Sequence, residues 1–211
     1  MTSLLSMVVR KLKYGEPVVV VSGLPRSGTS MAMRMLEAGG LATVVDDIRA
    51  ADEDNPKGYF EDERVKDLAQ EGDRSWVAGA RGKVVKVVSS LLTHLPDSSY
   101  YKVVFMRRNL HEVLASQAKM LARRGEVHDT PDEEMLRMYA QHLEKVEFQL
   151  RYRPNVEALH VEYRDVVEEP RGEAERMNEF LGGGLDVEAM VAAVDRQLYR
   201  NRRTEDGRPA D

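Results

Sequence analysis

The sequence predicts an α/β domain of three layers, in which helices cover both faces of a parallel sheet of about five strands. Short runs of β-branched residues alternate with longer amphipathic segments, a pattern typical of strands buried on both faces. The first run of valines leads through a glycine-punctuated turn straight into a helical segment. The chain has 211 residues and is 42% hydrophobic, which fits one domain with a well-developed core.

The individual elements follow from these patterns in chain order. β-branched runs predict strands over 18–22, 42–45, 84–88, 103–106 and 156–161. Amphipathic segments predict helices over 28–37, 62–70, 110–124, 131–152, 170–181 and 186–194, the last two separated by three glycines. No linker indicates a second domain, so we expect one domain over 1–203 and a frayed polar tail over 204–211.

Composition and charge exclude several classes of function. The chain contains no cysteine, which rules out disulfides, thiolate nucleophiles and thiolate zinc sites and favours a cytoplasmic setting. The net charge of -5 argues against binding of nucleic acid through bulk electrostatics. Its apolar runs fall short of the ~18 to 20 residues of a membrane span. We therefore expect no nucleic-acid partner and no membrane span.

The stretch GLPRSGTS, residues 23–30, joins the first predicted strand to the first predicted helix. Such a turn presents backbone N–H groups and a helix N-terminus to a bound anion. Measured against the pattern G-x-x-x-x-G-K-[ST], Gly23, Gly28 and Ser30 keep their places, but Thr29 replaces the lysine and Arg26 lies inside the loop. Because that lysine binds the outer phosphates of a triphosphate, the loop disfavours ATP chemistry. A phosphate or sulfate ligand is indicated, and a turn that binds nothing is the alternative.

A second group of residues lies in KVVFMRRNLHEVLASQ, residues 102–117. Arg108 follows a predicted strand, and Asn109 with Glu112 forms a capping pair for the next helix. Ser116 lies seven residues beyond the cap and returns to the cap's face of the helix. Arg108 and Ser116 can therefore converge on one anion, although spacing alone leaves open a surface arginine and a solvated serine.

The two motifs together resemble the sulfotransferase family, in particular bacterial sulfotransferase-like proteins of the P-loop superfamily. In that family a P-[KR]-S-G-T loop takes the 5′-phosphosulfate end of 3′-phosphoadenosine 5′-phosphosulfate (PAPS), and an arginine with a serine eight residues later takes its 3′-phosphate. The matching residues here are PRSGTS and Arg108 with Ser116. Further segments read like the family in the same order: NPKGYFE (55–61), VEYRDVVEEPRGEAERMNEFLG (161–182) and LYRNRR (198–203).

This resemblance implies a P-loop NTPase-like fold and a PAPS-dependent sulfotransferase without a metal. The sulfonate would pass to a hydroxyl or amine of a small-molecule or glycan acceptor, leaving 3′-phosphoadenosine 5′-phosphate (PAP). Arg26 would neutralise charge on the phosphosulfate, while the loop amides with Thr29 and Ser30 would hold the 5′-phosphate. The other loop contacts implied for the donor are Ser27 and Gly28.

Three positions outside the two motifs also match the family. Lys86 stands where many members have a strand lysine near the reaction centre, and a solvent-facing lysine of an edge strand is the alternative. Tyr163, in EYRDV, matches the tyrosine of the family's Y-E-D segment, and we expect it to face the nucleotide. Arg200, in a basic run, can cover the 3′-phosphate or belong to a solvated tail.

The sequence identifies the catalytic base less directly than it identifies the phosphate-binding residues. The THLP stretch contains His94 and resembles a family threonine-histidine step, but residues 87–92 separate it from Lys86, which favours an accidental match. Glu61 ends NPKGYFE at a predicted helix start and can accept a proton, or can be an ordinary first-turn glutamate. Two other functions stay open: a non-catalytic nucleotide-binding protein of the same fold, and a P-loop small-molecule kinase that uses magnesium and ATP.

Overall fold

A parallel five-stranded sheet forms the centre of the computed structural model, which describes residues 4–46, 60–126 and 130–196. Its strands are β1 (Val18–Gly23), β2 (Thr43–Val44), β3 (Val84–Val88), β4 (Tyr101–Arg107) and β5 (Val156–Glu162). They lie side by side in the order β2-β3-β1-β4-β5, and each neighbouring pair is parallel. The fold class predicted from the sequence is confirmed. β2 is shorter than predicted because only Thr43 and Val44 pair with β3.

Helices connect the strands and cover the sheet. The α-helices are α1 (Leu4–Tyr14), α2 (Thr29–Ala38), α3 (Trp76–Gly79), α4 (Leu110–Arg123), α5 (Asp132–Tyr152), α6 (Tyr163–Glu168), α7 (Pro170–Leu181) and α8 (Val187–Ala192). Two 3₁₀ helices span Glu63–Ala69 and Ser89–His94. The first of these replaces the α-helix predicted over 62–70. In the described part of the chain, no helix combines the length and apolar content needed to cross a bilayer.

Two apolar cores, one on each face of the sheet, make the three layers. Valines at alternating positions of β1 contribute to opposite cores: Val19 and Val21 pack with α2 and α7, while Val18 and Val20 pack with α5 and the 3₁₀ helices. All six residues of β1 are buried, as expected for the central strand of a sheet covered on both sides. β1 therefore delivers the loop that follows it to the middle of the carboxyl edge.

The turn between β4 and α4 lies next to that loop. Gly23 at the end of β1 is in register with Met106 of β4, so the two strands end together. Asn109 caps α4 as predicted, since its side chain accepts from the backbone N–H groups of His111 and Glu112 at 2.9 Å and 3.3 Å. Arg108, between strand and cap, is thereby held at the carboxyl edge of the sheet, where open α/β sheets bind ligands.

Candidate active site

The loop between β1 and α2 has the geometry of an anion-binding turn. A Cβ atom at Gly23 would lie 2.6 Å from the carbonyl oxygen of Met106, so only glycine fits against β4 there. Gly28 occupies the cap position of α2 in the left-handed conformation, with φ of 101°, and provides no side-chain cap. The first amides of a helix lack intrahelical partners. The start of α2 is therefore shaped to receive hydrogen-bond acceptors from a ligand.

Arg26 connects this loop to α4. Its φ of 71° lies in the left-handed region, which costs a non-glycine residue roughly 1–2 kcal/mol. Its Nε donates to Oγ of Ser116 at 3.0 Å, and its carbonyl oxygen accepts from Nη1 of Arg108 at 3.1 Å. Arg26 thus lies between the two residues that were predicted to meet at one anion, and all three belong to one hydrogen-bonded cluster.

Arg108 is held from several sides. Its side chain is 7% exposed, and Nε donates at 2.9 Å to Oε2 of Glu112, whose side chain is 2% exposed. The guanidinium also stacks on the ring of Tyr163, with 4.4 Å from Cζ to the ring centroid. Burial raises the pKa of Tyr163, although Arg108 acts in the opposite direction, so the phenol stays neutral beside the cation. Arg108 is therefore a preorganised cation rather than a mobile surface side chain.

Tyr163 supports the loop as well as Arg108. Its ring packs on Gly28, where an added Cβ would come within 2.9 Å of Cε2 and closer still to Cδ2. The residue is 4% exposed. In this structure the ring lies between Gly28 and Arg108 and contacts both. That Tyr163 also faces the nucleotide stays a prediction.

The adjacent Arg107 faces the opposite side of the sheet, because side chains alternate along a strand. Its side chain is 50% exposed, with Nε 3.4 Å from Oε1 of Glu162 and Nη1 3.9 Å from Oε1 of Glu147. Burial raises the pKa of Glu162, and Arg107 lowers it again in part. Two consecutive arginines thus have different surroundings, one enclosed at the loop and one half-exposed in a charged group near α5.

Lys86, Glu61 and Ser30 come together from three segments of the chain. Nζ of Lys86 lies 3.5 Å from Oγ of Ser30 and 3.4 Å from Oε1 of Glu61. The side chain of Lys86 is 14% exposed, and β3 lies between β2 and β1 in the sheet. Lys86 therefore lies against the start of α2 instead of extending from an edge strand into solvent.

Two predicted residues are not joined to this arrangement, one because it lies apart in the described ranges and one because it falls outside them. His94 ends the second 3₁₀ helix, and no hydrogen bond or ion pair joins it to the loop, Lys86 or Arg108 within the described ranges. Arg200 lies outside the described residues, as do residues 55–59 of NPKGYFE and the segment 198–203. Sequence reasoning took Glu112 only for a capping residue, although its spacing of four from Arg108 is that of a helical ion pair.

A cavity of about 700 Å³ opens beside the loop, between the carboxyl end of β4 and α5. Leu24 and Ser27 line it from the loop, and Ala140, Leu143 and Glu144 line it from α5. Oγ of Ser27, in a residue 1% exposed, makes no hydrogen bond to any described residue. An unpaired buried hydroxyl costs about 1–3 kcal/mol, so its presence in the loop fits a site completed by a polar ligand.

The fold is that of a P-loop-like α/β protein, in which Arg26 and Arg108 lie at the loop that follows the central strand. The chain belongs to the sulfotransferase family: the family's model matches residues 68–187, more than half of the chain. That range begins after the PRSGTS loop and includes Lys86, Arg108, Ser116 and Tyr163. No curated protein gives a significant match to the sequence.

Several solved structures resemble this chain in fold at low sequence identity. A mouse sulfotransferase complexed with PAP superposes with a TM-score of 0.50 at 13% identity, covering 99% of this chain and 76% of that one. A sulfotransferase domain from the curacin biosynthetic pathway has a TM-score of 0.49 at 13% identity, covering 91% and 82%. A sulfotransferase from Alicyclobacillus acidocaldarius has a TM-score of 0.47 at 14% identity, covering 82% and 85%. At such identities a likeness concerns the fold alone.

Proposed function

We propose that the protein transfers a sulfonate group from PAPS to a hydroxyl or amine of a small-molecule or glycan acceptor. The observation that carries this proposal is the cluster of Arg26, Arg108 and Ser116, which joins the central loop to α4. It places two guanidinium groups and a hydroxyl next to an open helix N-terminus. Membership of the sulfotransferase family supports a transferase, and the two ends of this cluster suit a donor with two separate phosphates.

The described residues fit such a donor. The amides at the start of α2, with Ser27, Gly28, Thr29 and Ser30, would hold the 5′-phosphate, and the unpaired hydroxyl of Ser27 would gain a partner there. Arg108 and Ser116 would hold the 3′-phosphate. Ser116 now accepts from Arg26, so Arg26 would exchange that contact for the bound anion.

The chemistry would depend on positioning and on cationic groups. The donor supplies an activated sulfonate whose leaving group is a phosphate oxygen. Lys86, held near Ser30 at the start of α2, is placed to stabilise the charge that develops on that oxygen. Arg26 would act at the same end of the donor. Glu61 lies 3.4 Å from Lys86 and therefore competes with the donor for this cation.

Thermal unfolding in the presence of nucleotides tests the binding half of the proposal. PAP should raise the melting temperature without added metal, because a ligand selective for the folded state stabilises it. Magnesium with ATP should raise it much less. An equal or larger shift with magnesium and ATP would favour the kinase instead.

A radiolabelled donor tests the transfer half. Sulfonate should pass from labelled PAPS to at least one member of a panel of sugars, phenols, amines and lipids. If PAP stabilises the protein but the panel yields no labelled product, the non-catalytic nucleotide-binding protein is the better description.

A further inference from the structure

A histidine outside the groups described above lies beside the carboxyl end of β3. Nε2 of His142, on α5, is 2.8 Å from Oγ of Ser89. Ser89 directly follows Val88, the last residue of β3, and Val88 is in register with Gly23, where the loop begins. The pair of Ser89 and His142 therefore lies one residue beyond the point at which β1 passes into the loop.

This pair and Lys86 flank the start of the loop from opposite faces of the sheet. Lys86 points toward α2, where it meets Ser30, while Val87 belongs to the core on the α5 side. Ser89, two residues beyond Val87, is on the α5 side as well, which is how His142 reaches it. The sulfonate end of a donor in the loop would thus have a lysine on one side and an imidazole on the other.

The cavity beside the loop lies on the other side of α5. Its lining includes Ala140, Leu143 and Glu144 of α5 and does not include His142. At ~100° per residue, His142 lies on the face of α5 opposite to this stripe. An acceptor that meets the imidazole would therefore approach the loop over the end of β3 and not through this cavity.

The surroundings of His142 favour the neutral, proton-accepting ring. Burial, and next the positive charge of Lys145, lower the pKa of His142 from its ordinary value of 6.5. Of the neighbouring elements, the 3₁₀ helix places Ser89 beside the ring and carries its own histidine, His94, at its far end. On α4, the uncharged Gln117 accepts a hydrogen bond from Tyr139. If Ser89 accepts from Nε2–H, the lone pair lies on Nδ1, which has no hydrogen-bond partner among the described residues.

The reaction proposed above needs a proton acceptor, and the two residues predicted from the sequence are poorly placed for that role. Glu61 is engaged by Lys86, and His94 has no contact with the loop within the described ranges. His142 is a third possibility that no motif marks. Unlike His94, it reaches the end of β3 directly through Ser89.

We propose that His142 is the catalytic base of the transfer and that Ser89 is its positioning residue, an inference that rests on the proposed function. The acceptor's oxygen or nitrogen forms a bond to sulfur while the bond from sulfur to the bridging oxygen breaks. The electron pair of the broken bond stays on the 5′-phosphate of the departing nucleotide. His142 takes the proton from the acceptor at Nδ1, and Ser89 holds the ring in the tautomer that leaves this nitrogen unprotonated.

Replacing His142 by glutamine separates catalysis from packing, because the glutamine amide reaches the place of Nε2 and keeps a donor toward Ser89 while Nδ1 is lost. With p-nitrophenol and glucosamine as acceptor probes and labelled PAPS as donor, kcat/KM should fall by about 10²- to 10⁴-fold. The melting temperature and the shift caused by PAP should stay as in the wild type. Unchanged turnover, or a loss of turnover that accompanies lost PAP stabilisation, would overturn the assignment.

The dependence of kcat/KM on pH gives a readout that a structural role would not change. Because the pKa of His142 lies below 6.5, the base form exists above it, and activity should fall as pH drops through that pKa. This acid limb should be absent in His142→Gln. Lys145→Gln should move the limb to higher pH and keep the plateau, since the charge that depresses the pKa is removed. An NMR titration of the ring in the free wild-type protein should give the same pKa.

The outcomes distinguish this inference from the proposed function. A wild type that neither binds PAP nor transfers sulfonate to any acceptor of the panel defeats the proposed function, and this inference with it. A wild type whose activity and acid limb persist in His142→Gln defeats only the choice of base. An acid limb that then disappears in Glu61→Gln would assign the proton to Glu61 instead.

Discussion

Replacing Arg108 by alanine should affect stability and ligand binding through two different contacts. In the protein alone, the guanidinium donates to Glu112 at 2.9 Å, and Glu112 is 2% exposed. Removing one partner of such a buried pair leaves the other charge uncompensated, which typically costs about 3–5 kcal/mol of unfolding free energy. We therefore expect Arg108→Ala to melt well below the wild type, whether or not Arg108 binds a phosphate.

The contact of Arg108 with the 3′-phosphate would contribute a separate free energy, to binding rather than to folding. A charge-assisted hydrogen bond contributes roughly 1.5–3 kcal/mol, so Arg108→Ala should weaken PAP binding on the order of ten- to a hundredfold. Affinity for 5′-AMP, which lacks the 3′-phosphate, should barely change. The wild type should accordingly bind PAP much more tightly than 5′-AMP, and the variant should lose most of that difference.

Two further variants separate the two effects. Arg108→Met combined with Glu112→Gln removes both charges and should recover much of the lost stability without restoring discrimination between the nucleotides. Arg107→Ala is the matched control: its side chain is 50% exposed, its ion-pair distances are 3.4 Å and 3.9 Å, and it points to the other face. A surface pair of this kind contributes about 0–1 kcal/mol, so both stability and discrimination should be nearly unchanged.

Titration calorimetry with PAP and 5′-AMP on these four proteins, together with thermal unfolding, measures both quantities. The placement of the 3′-phosphate is wrong if the wild type does not prefer PAP. It is equally wrong if the double variant keeps the preference, or if Arg107→Ala removes it.

Three further substitutions test other parts of the loop edge. Arg26→Ala should reduce turnover severely and nucleotide affinity less, because it removes charge stabilisation that grows as the bridging bond breaks. Full turnover of this variant in a steady-state assay would exclude Arg26 from the mechanism. Gly28→Ala should lower the unfolding free energy measured in urea, because its Cβ would collide with the ring of Tyr163 and φ is 101°. The hydrogen bonds from Arg64 hold the pKa of Asp62 below its ordinary 3.8, so the carboxylate stabilises the fold above that pH and loses this effect as pH falls through the lower value. Asp62→Asn should therefore be less stable than the wild type near neutrality, and the difference should disappear in acid.

The parts of the fold that the sequence predicts are those with strong local signals. Four valines, followed by Ser22 and Gly23, mark β1 and its loop, and Asn109 marks the start of α4. Gly182, with φ of 106°, ends α7 where the three glycines predicted a break. Such residues act through their own backbone or a neighbour within one turn, so no tertiary information is needed to interpret them.

Short elements and distant contacts could not be predicted in the same way. α3 has four residues and α6 has six, too few for an apolar period to be recognised. Arg26 and Ser116 are 90 residues apart, and Lys86 and Glu61 are 25 apart, so their pairing depends on the order of strands in the sheet. Spacing showed that Arg108 and Ser116 share a region, but it could not show that Arg26 lies between them.

The strand order also explains why the proposed base was missed. In the order β2-β3-β1-β4-β5, β3 is adjacent to β1, so whatever follows β3 lies beside the loop that follows β1. Sequence reasoning looked for a histidine along the chain after Lys86 and found His94, which ends the 3₁₀ helix Ser89–His94 and has no hydrogen bond or ion pair to the loop within the described ranges. A site at the end of a strand can equally be completed from a helix packed across it. The proposed base, His142, lies on α5, 53 residues beyond the Ser89 that it contacts, so no local motif marks it.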